Sequence, residues 1–209
     1  MSQERVGRRI IKHFIALSSF LLTLIGSTEL LAKSTKRVDV FLGYESLTYS
    51  ANSSGEKFAF AGPRAALDIS FLFKKKFSLG LYGEAKVLNA AYTKESGETE
   101  TATSFGGGFN FAYHFGKKKN FFFKTDIGYA QTAIETSNHD FLKSYSYPTI
   151  VLRFSSGYVY IGKKVSFTVA PSLEINSLSS GSNVLYPDQP ISDLLGIGGS
   201  FNMALGYVF

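Results

Sequence analysis

The last nine residues, Phe-Asn-Met-Ala-Leu-Gly-Tyr-Val-Phe at positions 201–209, carry the pattern that decides the fold. Apolar side chains recur at every second position, and small or polar residues fill the positions between them, apart from one valine. Because successive side chains of a strand point to opposite faces, this alternation predicts a β-strand with one apolar and one polar face.

Seven stretches upstream repeat the alternation. Each has about ten or more residues, which is the length a tilted strand needs to cross hydrocarbon, whereas strands of soluble proteins usually have about five or six. The stretches lie at about 38–45, 64–73, 77–87, 104–115, 121–130, 150–160 and 165–176. The sequence therefore predicts an all-β fold, an eight-stranded antiparallel up-and-down barrel, because a sheet of eight strands can close on itself.

The connections between these stretches alternate in length and charge. Four are long and polar, at about 46–57, 92–103, 135–146 and 177–194, and three are short and basic. The lysines of the short turns are Lys74, Lys75, Lys76, Lys117, Lys118, Lys119, Lys163 and Lys164. Short turns at one end and long loops at the other are typical of outer-membrane barrels, whose short turns face the periplasm. The lysines either touch anionic lipid headgroups or simply solvate the turns.

The four long loops are predicted to lie at the cell surface. They hold an excess of acidic residues and several aromatic side chains that suit contacts with a ligand: Tyr49, Tyr92, Phe141, Tyr145, Tyr147 and Tyr186. Loops on a rigid scaffold commonly carry recognition. The acidic residues Glu95, Glu98 and Glu100 either hold divalent cations or form an ordinary solvated loop, and no calcium-loop spacing is present.

Residues 1–32 have the features of a cleavable signal peptide. Arg5, Arg8, Arg9 and Lys12 precede an apolar segment at 14–25, which is too short to span a bilayer comfortably as a helix. Cleavage after Ala32 leaves a barrel domain at 33–209. The alternatives are cleavage after Ser27 and an uncleaved N-terminal anchor.

Composition excludes several kinds of site. The chain has no Cys, so it has no disulfides, thiolate nucleophile or cysteine-ligated metal, and three His leave little for a histidine metal centre. We expect no cofactor and no metal. The lysines are dispersed over three turns of an exported chain, which argues against nucleic-acid binding despite the net charge of +6.

Alternation alone does not separate a soluble barrel with an apolar interior from a membrane barrel with the reverse sorting. The polar positions here carry charges of both signs beside small residues, whereas the apolar positions carry none, as hydrocarbon demands. Aromatic residues gather near the strand ends, which suits the membrane interfaces. The charged groups predicted to face the lumen are Asp39, Glu45, Arg64, Asp68, Glu84, Lys86, Lys124, Asp126, Arg153 and Glu174.

With these features the chain resembles the small OmpA/OmpX-type outer-membrane barrels of Gram-negative bacteria. The final stretch is similar to the signal by which the barrel-assembly machinery recognises such proteins, with alternate apolar residues and a terminal Phe: Phe201, Met203, Leu205, Tyr207 and Phe209. The resemblance implies location in the outer membrane, contact with its lipid and lipopolysaccharide, and handling by that machinery. It implies little about activity.

Three prolines interrupt the strand pattern. Pro63 and Pro171 lie within or beside predicted strands, where proline removes a ladder donor, so we expect bulges or strand ends there. Pro148 is expected at the start of the sixth strand.

The sequence offers little catalytic chemistry. The lipid A deacylases among small barrels carry a His-x-Ser element, whereas His114 is followed by Phe115 and Gly116. We expect His114 to be a structural lumen residue and His139 to be a loop residue without a catalytic role.

The sequence predicts a monomeric, non-enzymatic integral outer-membrane protein that gives envelope structure and presents four loops for recognition or adhesion of an extracellular ligand. The alternatives are a narrow channel or small-solute porin, a lipid A-modifying enzyme, and a soluble periplasmic barrel.

Overall fold

The computed structural model describes residues 35–51, 57–73, 76–90, 99–116, 118, 120–138, 141–178, 182–183 and 194–209. The predicted signal peptide lies outside these ranges. Within them, no helix has the length and apolar character needed to cross a bilayer.

The described residues form strands almost throughout. The strands are β1 (Thr35–Ala51), β2 (Lys57–Phe73), β3 (Phe77–Ala90), β4 (Thr99–Phe115), β5 (Phe121–Asn138), β6 (Phe141–Ile161), β7 (Val165–Leu178), β8 (Ser182–Asn183) and β9 (Leu194–Val208). Every long strand pairs antiparallel with its neighbours along the chain, and β1 pairs with β9 from Arg37–Val208 to Ala51–Leu194. The two-residue β8 only extends the edge of β6.

Eight strands therefore close into one wall, and the predicted all-β, eight-stranded antiparallel barrel is confirmed. Closure removes free sheet edges, so the wall satisfies its own backbone polar groups. We call the end with the three short connections the turn side and the opposite end the loop side.

The strands run further toward the loop side than the alternation of apolar residues indicated. The segments between strands there are 52–56, 91–98, 139–140 and 179–193, the last of which contains β8. The prediction of a loop at 135–146 was wrong, because β5 and β6 remain paired up to Asn138 and Phe141. The ladder continues beyond the part of the wall that has an apolar outer face, so hydrophobic periodicity could not mark its end.

The prolines lie inside strands and leave the register unchanged. Ala61 pairs with Asn89 and Arg64 with Lys86 on the two sides of Pro63, and Pro171 pairs with Phe201. The expectation of bulges or strand ends was therefore wrong, and Pro148 lies well inside β6 rather than at its start. Proline removes one donor from a ladder but adds no residue to it, so the register can pass through.

The short turns are tight. The amide of Lys76 donates to the carbonyl of Phe73 at 2.9 Å, and the amide of Gly162 donates to the carbonyl of Val165 at 2.8 Å. Gly116 follows β4 with φ of 87°, in the left-handed region that favours glycine.

The two faces of the wall differ as the alternation predicts. In β9, Leu205 is 65% exposed while its neighbour Ala204 is 2% exposed. Large apolar side chains recur on the outside of every long strand, whereas the charged side chains of the strands lie mostly inside, beside small, polar and some apolar residues. The interior is therefore the place to look for a polar site.

Candidate functional site: the interior of the barrel

The interior holds all ten charged groups that the sequence assigned to the lumen. Nine are buried, and the side chain of Lys124 retains 14% exposure. The structure brings nine of them into contact with one another; Asp39 lies apart, nearer the turn side. We call these nine the charge network: Glu45, Arg64, Asp68, Glu84, Lys86, Lys124, Asp126, Arg153 and Glu174.

Arg153 on β6 is the centre of the charge network. Its Nε donates to Glu174 Oε2 at 2.7 Å, and its Nη1 donates to Asp126 Oδ2 at 3.1 Å. Its Nη2 donates to Glu84 Oε2 at 2.6 Å. The three carboxylates come from β7, β5 and β3, so one guanidinium links four strands. Such a planar fork of donors is the geometry that arginine provides and lysine lacks.

Lys86 and Arg64 extend the charge network toward β1 and β2. Lys86 Nζ donates to Glu45 Oε1 at 3.0 Å and also to Glu174. Arg64 donates from Nε and Nη2 to Glu84 Oε2, at 2.9 Å and 2.8 Å, and from Nη1 to Asn202 Oδ1 at 2.8 Å. The contact with Asn202 brings β9 into the set.

Lys124 on β5 occupies the remaining part of the charge network. Its Nζ lies 2.5 Å from Asp68 Oδ2 and 3.1 Å from Asp126 Oδ1. Asn110 also donates to Asp68. The ammonium lies 5.1 Å from the centre of the Phe41 ring, within the range of a cation–π contact.

Four cations and five carboxylates thus nearly balance within the tube. Taking an ion out of water costs several kcal/mol, so a buried charge persists only where partners compensate it. A cavity of about 20 Å³ remains beside Arg153 and Lys124, room for about one water molecule. In the described part of the barrel the charges therefore fill the interior rather than line an open pore.

Toward the turn side the interior holds a second polar group, of which the sequence pattern indicates only Asp39. Arg37 Nε lies 2.5 Å from Asp39 Oδ2, and Ser166 Oγ donates to Asp39 Oδ1 at 2.7 Å. Arg37 was missed, although its place two residues before Asp39 puts it on the same inward face.

A serine–histidine contact also lies inside the barrel. Ser78 Oγ and His114 Nε2 are 3.3 Å apart, a pairing that spacing along the chain did not suggest. His114 Nδ1 has no hydrogen-bond partner among the described residues, and Asp39 pairs with Arg37 instead. Ser78 is only 3% exposed. The pair has neither the third group that orients the histidine of a triad nor an exposed nucleophile.

The loop-side end of the interior is largely apolar, which the sequence pattern did not indicate, although Glu100 of β4 is buried there as well. A buried cluster with contributions from seven strands occupies this end. We call it the loop-side cluster: Leu47, Tyr49, Phe60, Leu88, Ala102, Tyr147, Leu178 and Leu194. The rings of Tyr49 and Phe60 meet edge to face at 5.8 Å.

The loop-side cluster corrects two predictions about surface contacts. Tyr49 and Tyr147 were expected in exposed loops, yet they are 2% and 4% exposed inside the barrel. Both belong to strands that run past the predicted loop boundaries, so their inward positions follow from the period-two rule. The predicted contact residues Tyr92 and Tyr186, the acidic pair Glu95 and Glu98, and His139 lie outside the described residues. The placement of Glu100 in the same solvated loop was wrong, because Glu100 belongs to β4 and is 8% exposed.

The remaining predicted residues lie on the outside. Of the turn lysines, Lys76, Lys118, Lys163 and Lys164 are exposed, and Lys74, Lys75, Lys117 and Lys119 fall outside the described residues. The outward face of β9 and the residue after it carries Phe201, Met203, Leu205, Tyr207 and Phe209, each at least 45% exposed.

Comparison with known proteins supports the architecture and leaves the activity open. No protein-family model and no curated protein matches the chain. Ail, the attachment invasion locus protein of Yersinia pestis, in a complex with the heparin analogue sucrose octasulfate, matches with a TM-score of 0.54 and 12% identity over 83% of this chain and 99% of that one. Neisserial surface protein A matches with a TM-score of 0.50 and 7% identity over 82% and 97%. The chain therefore has the fold of the small eight-stranded outer-membrane β-barrels, the architecture that its resemblance to the OmpA/OmpX type implied.

Proposed function

We propose that the protein is a monomeric integral outer-membrane barrel with a filled interior, which contributes to envelope structure and presents its loop side for recognition. One observation carries the proposal: the wall exposes apolar side chains outward and buries paired charges inward. A soluble ligand-binding barrel needs the opposite arrangement, an apolar interior and a wet exterior. Since every strand edge of the wall is paired, the barrel needs no partner subunit.

The filled interior argues against a porin. The charge network crosses the middle of the tube, and the loop-side cluster fills the interior on that side. An interior of eight strands is about wide enough for its own side chains to fill. A non-enzymatic role follows the same reasoning, because the Ser78–His114 pair is buried and lacks an orienting acid.

The charge of the loop side indicates the kind of partner it would bind. The four loops as predicted from the sequence contain eight acidic residues against three lysines, and seven acidic residues remain when the buried Glu100 is left out. This excess favours a cationic surface and disfavours a sulfated ligand such as the one bound to Ail. We therefore infer that recognition here differs from binding of a heparin-like polyanion.

Fractionation of the expressing cells tests membrane integration. We expect the protein in the outer-membrane fraction, extractable only with detergent, and faster migration on gels when the sample is left unheated. Recovery in the soluble periplasmic fraction, with no change of migration on heating, would contradict the proposal.

Loop replacement tests recognition separately. Replacing residues 91–98 or 184–190 with a glycine–serine segment of equal length should reduce adhesion to host cells or matrix while heat-modifiable migration is retained. The matched control replaces residues 117–119 in a short turn, which should leave adhesion unchanged. Unchanged adhesion, serum survival and phage sensitivity in both loop variants would overturn the recognition role and leave membrane integration standing.

A further inference from the structure

A groove on the outer wall has no role in the function proposed above. It runs over β5, β6 and β7 near the turn side and has two adjoining parts of about 470 Å³ and 330 Å³. Both parts include Phe123, Ser156 and Pro171, so they form one continuous depression. We call it the wall groove.

The floor of the wall groove is low because small residues replace bulky ones there. Ser156 is the outward residue of β6 at this level, and it pairs with Phe123 of β5. The pairing of β6 with β7 is interrupted between Ser155–Ser172 and Tyr158–Val169. Two positions on each strand are unpaired there, and one of them is Pro171. Proline cannot donate to a ladder, which accounts for the gap.

The sides of the wall groove are aromatic. The rings of Phe115 and Phe123 stack at 5.2 Å, and those of Phe115 and Phe121 stack at 5.9 Å. The ring of Tyr158 meets Phe121 edge to face at 5.6 Å. Phe123 is 60% exposed, so the stacked rings form a ridge that faces outward along the depression. In a bilayer such an apolar depression is filled by hydrocarbon, because water is absent at that depth.

Positive charge lies at the turn-side end of the wall groove. The turn between β4 and β5 precedes Phe121 and carries Lys118, and the turn after β6 carries Lys163 and Lys164. All three lysines are exposed. The wall groove is therefore apolar along its length and ends between two basic turns.

We propose that the wall groove binds one anionic phospholipid of the periplasmic leaflet, with an acyl chain along the aromatic ridge and the headgroup phosphate between the two basic turns. The inference rests on the proposed function, since that sets the turn side toward the periplasm. The acyl chain of such a lipid would pack against the stacked Phe rings, and its phosphodiester would lie near the exposed ammonium groups. Lipopolysaccharide lies in the other leaflet, away from these turns.

The absence of Trp from the chain makes a fluorescence test simple. Phe123→Trp places a single reporter in the wall groove. Leu79→Trp is the matched control, because Leu79 is the third residue of β3 after a basic turn, as Phe123 is the third residue of β5, and it lies outside the groove. Each variant is reconstituted in vesicles of equal parts phosphatidylglycerol and phosphatidylcholine, with one or the other lipid brominated.

In the Phe123→Trp variant, the quenching of Trp fluorescence should show that phosphatidylglycerol binds about fivefold more tightly than phosphatidylcholine. A factor of about five is what one lysine near an anionic lipid contributes. In the Leu79→Trp variant the preference for phosphatidylglycerol should be smaller, because a basic turn lies nearby but no groove holds the acyl chain. Equal preference at both reporters would overturn the proposal. Should Phe123→Trp fail to insert, Phe154→Trp, in the other part of the groove, carries the same test.

Two further substitutions separate the halves of the site. Ser156→Phe, added to the Phe123→Trp reporter, fills the groove and should reduce the preference to that of the control. Lys163→Gln with Lys164→Gln should lower the preference for phosphatidylglycerol and leave quenching by brominated phosphatidylcholine unchanged. A preference that survives both sets would contradict the site.

The unheated gel migration of each reconstituted variant distinguishes the two proposals. Barrels that insert but show no lipid preference would refute the lipid site alone. A wild-type protein that does not insert at all would refute the proposed function and the lipid site together.

Discussion

The middle of the barrel interior and its loop-side end fill the same narrow tube in opposite ways. The middle uses nine ionisable side chains, whose contacts join strands far apart in the chain, such as the contact of Arg153 with Glu84. The loop-side end uses aliphatic and aromatic groups, such as Leu88 and Phe60, that need no specific partner. A charge network demands exact complementarity, whereas an apolar cluster needs only volume, so the two regions should respond differently to substitution.

The largest effect is expected at the centre of the charge network. Arg153→Met removes the guanidinium and leaves Glu84, Asp126 and Glu174 with too little positive charge. Removal of one partner from a buried ion pair costs about 3–5 kcal/mol of the free energy of unfolding. Urea unfolding of the folded protein in detergent micelles or vesicles, followed by loss of the fast-migrating gel band, measures the change.

Arg153→Lys serves as the control for charge alone. It keeps the positive charge but cannot make the three directed contacts, so it should recover only part of the loss. A full recovery by lysine would show that net charge, and not the geometry of the fork, stabilises the middle of the tube.

A smaller loss is expected in the loop-side cluster. Leu88→Ala removes a fully buried aliphatic group and should cost about 2–4 kcal/mol, according to how far the cluster collapses into the space. Because no charge is involved, the loss should be the same in low and high salt. Leu88→Met, which conserves volume, should cost less than about 1.5 kcal/mol. Equal losses for alanine and methionine would argue that packing volume does not govern this end.

Substitutions at the boundary between the two regions should reduce stability least. Thr149 lies between Tyr147 of the cluster and Arg153 of the network along β6, and its hydroxyl donates to Thr132 Oγ1 at 2.8 Å. Thr149→Val keeps the shape and removes this hydrogen bond, so we expect a loss of about 1 kcal/mol. The neighbouring inward residue of β6 is already an apolar Val151, which makes a second valine easy to accommodate. A loss as large as that of Arg153→Met would extend the charge network to this layer.

Ion conductance should not respond to a single substitution in either region. We expect no steady current in planar bilayers from wild type, from Lys86→Ala or from Leu88→Ala, because each single variant leaves one of the two regions filled. Only a combination of both substitutions should conduct, provided that it still inserts. A steady current from either single variant would show that one region alone closes the tube.

The sequence determined the wall more fully than the interior. The period-two pattern of β9 placed Leu205 outside and Ala204 inside, and the charged positions followed the same rule. The partners of Arg153 could not be predicted, because they depend on which residues four different strands bring to one level. That level follows from the strand registers around the barrel, which no single strand encodes.

The loop-side boundaries were missed for a different physical reason. Apolar periodicity reports the part of a strand that faces hydrocarbon, and β5 and β6 keep pairing beyond it. Tyr49 and Tyr147 were therefore assigned to loops, although their spacing from inward residues of the same strands was even. Ser78 and His114 illustrate the same limit on the inside, since the contact joins residues of adjacent strands that are 36 positions apart in the chain.

The spread of the charge network over the strands has a consequence for how the barrel enters a membrane. A chain inserted only as far as β4 would carry Glu84 without Arg153, and Asp68 without Lys124. Partial structures therefore carry uncompensated ions in hydrocarbon, where each is costly. Insertion should accordingly be an all-or-none event in which closure of β1 on β9 and neutralisation of the interior occur together.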